Sequence, residues 1–141
     1  MFALPLMAVR ILIADDDASI RRLLRRLIES HADWTVCGDA FDGKDAIGKT
    51  AQLTPDVVVL DLAMPQMNGL QAAREISRNR PELPMLLLTV QNVSKELTTE
   101  AVHAGFRGAV SKSTGSEVVR GIEMLLKHQS FFQPPRSDSV T

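Results

Sequence analysis

Unbroken hydrophobic runs alternate along this chain with stretches in which hydrophobic residues return every three or four positions. The first run, Val9–Ala14 (VRILIA), closes on acidic residues and predicts a strand buried on both faces. Behind it Ile20, Leu23, Leu24, Leu27 and Ile28 fall at helical spacing and form one apolar stripe. Trp34–Ala40 (WTVCGDA) is a shorter, weaker strand pattern, suited to a sheet edge. Asp42–Leu53 follows as a small helix with Ala46, Ile47 and Ala51 facing inward, stopped by Pro55. Asp56–Leu62 (DVVVLDL) carries the strongest strand pattern, because its valines and leucine pack well on a pleated surface. Pro65 and Asn68-Gly69 mark a loop, and Leu70–Arg80 is helical up to Pro81. Met85–Thr89 (MLLLT) predicts a fourth strand, Val93–Ala104 a fourth helix and Gly108–Lys112 (GAVSK) a fifth strand. The last helix, Ser116–His128, turns Val118, Val119, Ile122, Leu125 and Leu126 inward.

Five repeats of strand and helix predict an α/β fold: a flavodoxin-like, doubly wound (βα)5 sandwich whose five-stranded parallel sheet has the order 2-1-3-4-5. The folded unit is expected to run from residue 9 to 129. Residues 1–8 read as an N-terminal extension, since the periodic pattern begins only after Met7. Residues 130–141 are polar and proline-broken beyond Phe132 and read as a disordered tail or the start of a linker.

Composition narrows the class without deciding it. The 141 residues suffice for one domain with a proper core, and a formal net charge of −1 offers no general attraction to nucleic acid or an anionic membrane. The run Arg21-Arg22-Leu23-Leu24-Arg25-Arg26 reads as a solvated helix face rather than a basic patch. Cys37 is the single cysteine, so an internal disulfide is excluded, and its place in a strand pattern predicts a buried position without a chemical role. MFALPLMA has no cationic start and is a poor signal peptide, and no segment approaches the ~20 apolar residues of a membrane helix. A cytoplasmic protein is expected. His31, His103 and His128 are scattered and have no metal-like spacing.

The candidate chemistry lies at the ends of the predicted strands. The first ends in Asp15 and Asp16, the third holds Asp61 near its end, the fourth ends in Thr89 and the fifth in Lys112. Ligand sites in open parallel sheets form beyond the carboxyl ends of strands, where the strand order reverses. With the order 2-1-3-4-5 that crevice gathers Asp15, Asp16 and Asp61, with Thr89 and Lys112 on the far side of Asp61. Three carboxylates in one crevice repel one another, and a hard divalent cation such as Mg²⁺ relieves that repulsion. The cation would also polarise an incoming phosphoryl group, leaving Asp61 as nucleophile, Lys112 as a point charge and Thr89 as a hydroxyl donor. Taken singly, each residue has a plainer reading: acidic clusters after strands are often helix caps, and Asp17 is assigned that role.

The stretches ILIADDD, PDVVVLDLAMPQMNGL, LLLT and GAVSK resemble, in order and spacing, the defining motifs of response-regulator receiver domains. The resemblance runs from about Val9 to about His128. It implies that Asp61 is the phosphoacceptor, that Asp15 and Asp16 bind Mg²⁺, that Ala63 lends the metal its backbone carbonyl, and that Thr89 and Lys112 complete the site. It further implies a sensor histidine kinase as phosphodonor and a partner face on the fourth helix, fifth strand and fifth helix, with a homodimer through that face left open. The chain looks most like receivers that precede a helix-turn-helix DNA-binding domain, but no nucleic-acid or membrane binding is expected of these residues themselves. Three positions depart from the family pattern. Ala109 stands where an aromatic residue usually does, with Phe106 nearby to fill the space. Val90 replaces a smaller residue after the threonine and is expected to slow small phosphodonors or hydrolytic water. Ser113 replaces a proline after the lysine. These departures keep a second reading open, a pseudo-receiver that binds partners without phosphorylation. A phosphohydrolase with an aspartate nucleophile fits less well, because the candidate lies on the third strand and Ala63, two residues on, has no proton to give. A flavin site fits least, since the first loop is acidic.

Overall fold

The computed structural model describes residues 8–133. Along them run β1 (Val9–Ala14), α1 (Ala18–Glu29), β2 (Trp34–Ala40), α2 (Gly43–Leu53), β3 (Val57–Asp61), α3 (Gly69–Asn79), β4 (Met85–Thr89), α4 (Lys95–Ala104), β5 (Gly108–Ser111), α5 (Gly115–Leu126) and β6 (Phe131–Phe132). All neighbouring strands are parallel, in the order β2-β1-β3-β4-β5-β6. The unbroken apolar runs have a simple cause: strand side chains alternate between two faces, and both faces are covered. Leu12, Val58, Leu60, Met85 and Leu87 point to a core shared with Ala46, Ala72, Ala73, Ile76, Leu97 and Ala101 of α2, α3 and α4. Ile11, Ile13, Val57, Val59, Leu86 and Leu88 point the other way, onto Leu24 and Ile28 of α1 and Val118, Ile122 and Leu125 of α5. Each Val, Leu, Ile or Met among them contributes roughly 1.5–3 kcal/mol by leaving water.

Polar residues set the helix starts. Asp17 accepts from the backbone N–H groups of Ser19 (2.8 Å) and Ile20 (3.4 Å), the capping role expected of it. Asp42 caps α2 through the Asp45 N–H at 2.8 Å, and Ser94 caps α4 through the Leu97 N–H at 3.0 Å. Asn68 and Gln71 form a reciprocal capping box at the start of α3.

The structure corrects the sequence reading in several places. The sheet has six strands, not five, because Phe131–Phe132 pairs with Gly108 and Ala109 at the β5 edge. The two phenylalanines bury apolar area at an edge that would otherwise present unpaired amides. Residues 134–141, the rest of the expected tail, and residues 1–7 lie outside the described residues. Leu23 is exposed, although it belongs to the helical stripe of α1. Leu27, one turn on, is covered where α5 begins at Gly115, and Leu23 has lost that cover. On α2 the inward position belongs to Thr50, whose hydroxyl donates to the Ala46 carbonyl at 2.7 Å, while Ala51 is exposed. Cys37 is half-buried on β2, and burial pushes its thiol pKa up. The arginine run is only partly solvated: Arg21 reaches Asp39, and Arg25 donates to the Val36 carbonyl at 3.3 Å.

Candidate functional site

β1 and β3 are neighbours in the sheet although α1, β2 and α2 separate them in the chain, so their carboxyl ends open on the crevice where the winding reverses. Asp15 directly follows β1 and is fully buried. Its N–H donates to the Ala40 carbonyl (3.0 Å), its carbonyl accepts from Arg21 Nη1 (2.7 Å), and its Oδ1 accepts from the Asp17 N–H (2.9 Å). Asp61 is the last residue of β3 and only 3% exposed. Asp16 is exposed beside them, and ligand oxygens of Asp15, Asp16 and Asp61 all lie within 4.8 Å of one another.

Lys112 enters this acidic group from the other side. Its Nζ lies 2.7 Å from Asp15 Oδ2 and 3.1 Å from Asp61 Oδ1, so a single ammonium bridges two buried carboxylates. It does not end β5 as expected; β5 stops at Ser111, and the Lys112 N–H instead donates to the Thr89 carbonyl at 2.8 Å. Thr89 closes β4, is buried, and its hydroxyl oxygen accepts from the Gln91 N–H at 3.1 Å. Ala63 is exposed in the loop after β3, and its N–H faces the Asp61 carboxyl.

One lysine does not balance three acids. Burial pushes the Asp61 pKa up, Asp15 pushes it further, and the Lys112 and Ala63 hydrogen bonds only partly oppose them, so the carboxyl titrates at about 6. For Lys112, burial works against the ammonium, but its hydrogen bonds to Asp15 and Asp61 and their charges outweigh it and hold the pKa above its ordinary value. Asp15 Oδ2 is buried and meets no well-aligned donor besides that ammonium contact. Three hard oxygen donors, one of them poorly satisfied, fit a divalent cation of the Mg²⁺ kind.

The sequence pattern marks Gly69 only as part of a loop, yet it sets the shape of the site. A Cβ there would collide with the Asp61 carbonyl oxygen, and the Gly69 N–H donates to the Leu62 carbonyl at 2.8 Å, folding the start of α3 against the end of β3. Of the departing positions, Val90 projects into solvent with 75% of its surface exposed. Ala109 is fully buried in the same core cluster as Phe106, and Phe132 packs against that cluster. Among the histidines, His31 stacks on Trp34 with ring centres 3.7 Å apart and has its Nε2 3.1 Å from Glu123 Oε2, away from the acidic crevice.

Parallel sheet, acidic crevice and bridging lysine together define a class, and comparison with known proteins names it. The model of the response regulator receiver domain matches residues 11–122, and the chain belongs to that family. It is 36% identical over 110 residues to the transcriptional regulatory protein YdfI of Bacillus subtilis, covering 78% of this chain and 51% of that protein. It is 39% identical over 108 residues to a protein-glutamate methylesterase/protein-glutamine glutaminase of Symbiobacterium thermophilum, covering 77% of this chain and 30% of the enzyme. The chain thus spans about half the length of the first relative and under a third of the second. Among solved structures, a LuxR-family two-component response regulator from Aurantimonas sp. SI85-9A1 superposes with a TM-score of 0.86 at 32% identity, over 90% of this chain and 91% of that one. No helix among the described residues is long and apolar enough to cross a membrane.

Proposed function

We propose that this receiver domain is a phosphorylation switch in which Asp61 is the phosphoacceptor. The observation that carries the reading is the convergence of three carboxylates within 4.8 Å, with Lys112 bridging two of them at the edge where β1 and β3 end. An Asp61 carboxylate oxygen attacks the phosphorus of a phosphohistidine on a sensor kinase. The P–N bond breaks, the imidazole leaves, and an acyl phosphate forms on Asp61. Asp15, Asp16, Asp61 and the Ala63 carbonyl would hold Mg²⁺, which when bound neutralises phosphoryl oxygens and favours in-line attack. Lys112 then exchanges its contact with Asp61 for a phosphoryl oxygen, and the Thr89 hydroxyl turns to donate to another. On this reading the chain assists its own phosphorylation and dephosphorylation and is not an enzyme acting on other molecules. Its output passes through the face formed by α4, β5 and α5, to a partner or a second copy.

The test is intact mass after incubation with Mg²⁺ and acetyl phosphate, beside Asp61→Ala. One phosphoryl group is expected, abolished by the substitution and by chelation of Mg²⁺. Exposed Val90 predicts slow incorporation, which Val90→Ala should change several fold. Failure with acetyl phosphate and with phosphorylated histidine kinases alike would overturn the reading in favour of a phosphorylation-independent interaction module.

A further inference from the structure

The edge of β5 is closed by a strand of two residues, and its geometry reaches further than edge protection. The Phe131 N–H donates to the Arg107 carbonyl at 2.9 Å and the Gln133 N–H to the Ala109 carbonyl at 2.9 Å. Beyond these the side chain of Gln133 takes over: its Oε1 accepts from the Ser111 N–H at 2.8 Å, standing in for the carbonyl a longer strand would supply. Phe132 packs against the cluster that holds Ala109 and Phe106, while Phe131 packs against the opposite core with Arg120 over its ring at 5.9 Å. β6 therefore grips both faces of the sheet, and Gln133, just after it, reaches the residue next to Lys112.

Ser111 is the hinge of that arrangement. Its hydroxyl lies 2.8 Å from the Ser113 hydroxyl and accepts from the Ser113 N–H at 3.3 Å, so the residues on both sides of Lys112 are tied together. The Lys112 N–H is fixed to the Thr89 carbonyl. The backbone that aims Lys112 at Asp15 and Asp61 is thus tethered from β4, from Ser113 and Thr114 in the turn, and from Gln133. Only the last comes from outside the β5–α5 turn and the neighbouring strand of the crevice.

We propose that Gln133 is a positioning residue for Lys112, and that docking of β6 on β5 is thereby coupled to the state of the Asp61 site. The inference rests on the reading of that site as a phosphoacceptor for its consequence, though not for its geometry. Coupling of this kind is reciprocal: a ligand that draws Lys112 onto itself changes the hold of β6, and release of β6 changes the approach of Lys112. The segment that follows α5 then senses the acceptor through main-chain hydrogen bonds, with no aromatic side chain needed at position 109.

The test compares the full chain with Gln133→Met, which keeps the bulk and removes the acceptor, and Gln133→Glu, which keeps an acceptor. Side-chain ¹⁵N spectra report the Lys112 ammonium without any ligand: its signal is expected to move in Gln133→Met and to return in Gln133→Glu. The Ser111 amide should exchange with solvent about tenfold faster in Gln133→Met. Phosphoryl incorporation from acetyl phosphate should slow about three- to tenfold in Gln133→Met alone, the loss expected from a misplaced charge. In the wild type, beryllium fluoride with Mg²⁺ should alter exchange at the Phe131 and Gln133 amides, and Asp61→Asn should abolish that response. A Lys112 signal unmoved in Gln133→Met, or unmoved incorporation beside faster Ser111 exchange, would overturn the proposal and leave Gln133 as an edge cap. If the wild type takes up no phosphoryl group while the Lys112 signal moves, the positioning role stands and the phosphoacceptor reading fails.

Discussion

On the flank of the molecule Arg21 Nε meets Asp39 Oδ2 at 3.1 Å, one cation to one anion, with the aspartate 40% exposed to water. The same guanidinium donates its Nη1 to the Asp15 carbonyl, and from there inward the balance changes. Asp15 and Asp61, both buried, share the single ammonium of Lys112, and exposed Asp16 lies beside them. The flank pairs need nothing else: water screens them, and each is worth no more than about 1 kcal/mol. Inside the crevice screening is weak, and three ionised acids against one ammonium leave two negative charges in surplus. The contrast separates charge that is paired within the fold from charge that is left in surplus, as the proposed cation site requires.

Removing the shared cation should break the contrast most severely. Lys112→Met leaves two buried carboxylates facing each other and is expected to cost about 3–4 kcal/mol in urea unfolding without metal, with millimolar Mg²⁺ restoring much of it. A stability loss that Mg²⁺ does not relieve would mean that the crevice is no cation site.

Next comes pH. Asp61 in the fold holds its proton up to about pH 6, whereas an unfolded aspartate releases it near pH 4. Between those values the folded state binds more protons, so metal-free stability is expected to fall as pH rises from about 4 to about 6, by about 2–3 kcal/mol. Asp61→Asn should flatten that window and be the more stable protein at neutral pH, as read from unfolding curves at a series of pH values. A wild-type profile rising through the same window would contradict the raised pKa.

Smaller effects belong to the flank. Arg21→Met removes both the Asp39 pair and the hydrogen bond to Asp15, and should cost about 1 kcal/mol while weakening Mg²⁺ binding slightly. Glu123→Gln, which alters only the half-buried contact to His31, should change stability by about 0.5 kcal/mol or less. Calorimetry that ranked these two substitutions with Lys112→Met would erase the distinction between flank and crevice.

How far the sequence could be read follows the same physical line. Asp15, Asp61 and Thr89 were legible because each closes an apolar run, and a parallel sheet brings such ends to one edge. Lys112 was legible for the same reason, although it stands one residue past its strand. The role of Gly69 depends on how closely the start of α3 approaches the Asp61 carbonyl, a distance that no local pattern encodes. Phe131–Phe132 is too short to show a strand period, and the Ser111–Gln133 hydrogen bond spans 22 residues with no repeating signal between them. Exposed Leu23 illustrates the converse limit: a helical stripe marks which residues could be buried, and the neighbouring helix decides how far along it the cover extends.

The bridge from Lys112 to Asp15 also has a bearing on the order of events when the chain first folds. Its two ends lie 97 residues apart in the chain. During synthesis Asp15, Asp16 and Asp61 emerge well before the lysine, so a partly made protein holds only the mutually repelling half of the crevice. Closing the sheet from β1 through β3 and β4 to β5 brings the neutralising charge last, over contacts of high sequence separation that form slowly. The acidic crevice thereby acquires its one cation only when the final strand of the crevice is in place, and on the proposed reading a chain able to take up Mg²⁺ and a phosphoryl group is one that has finished folding.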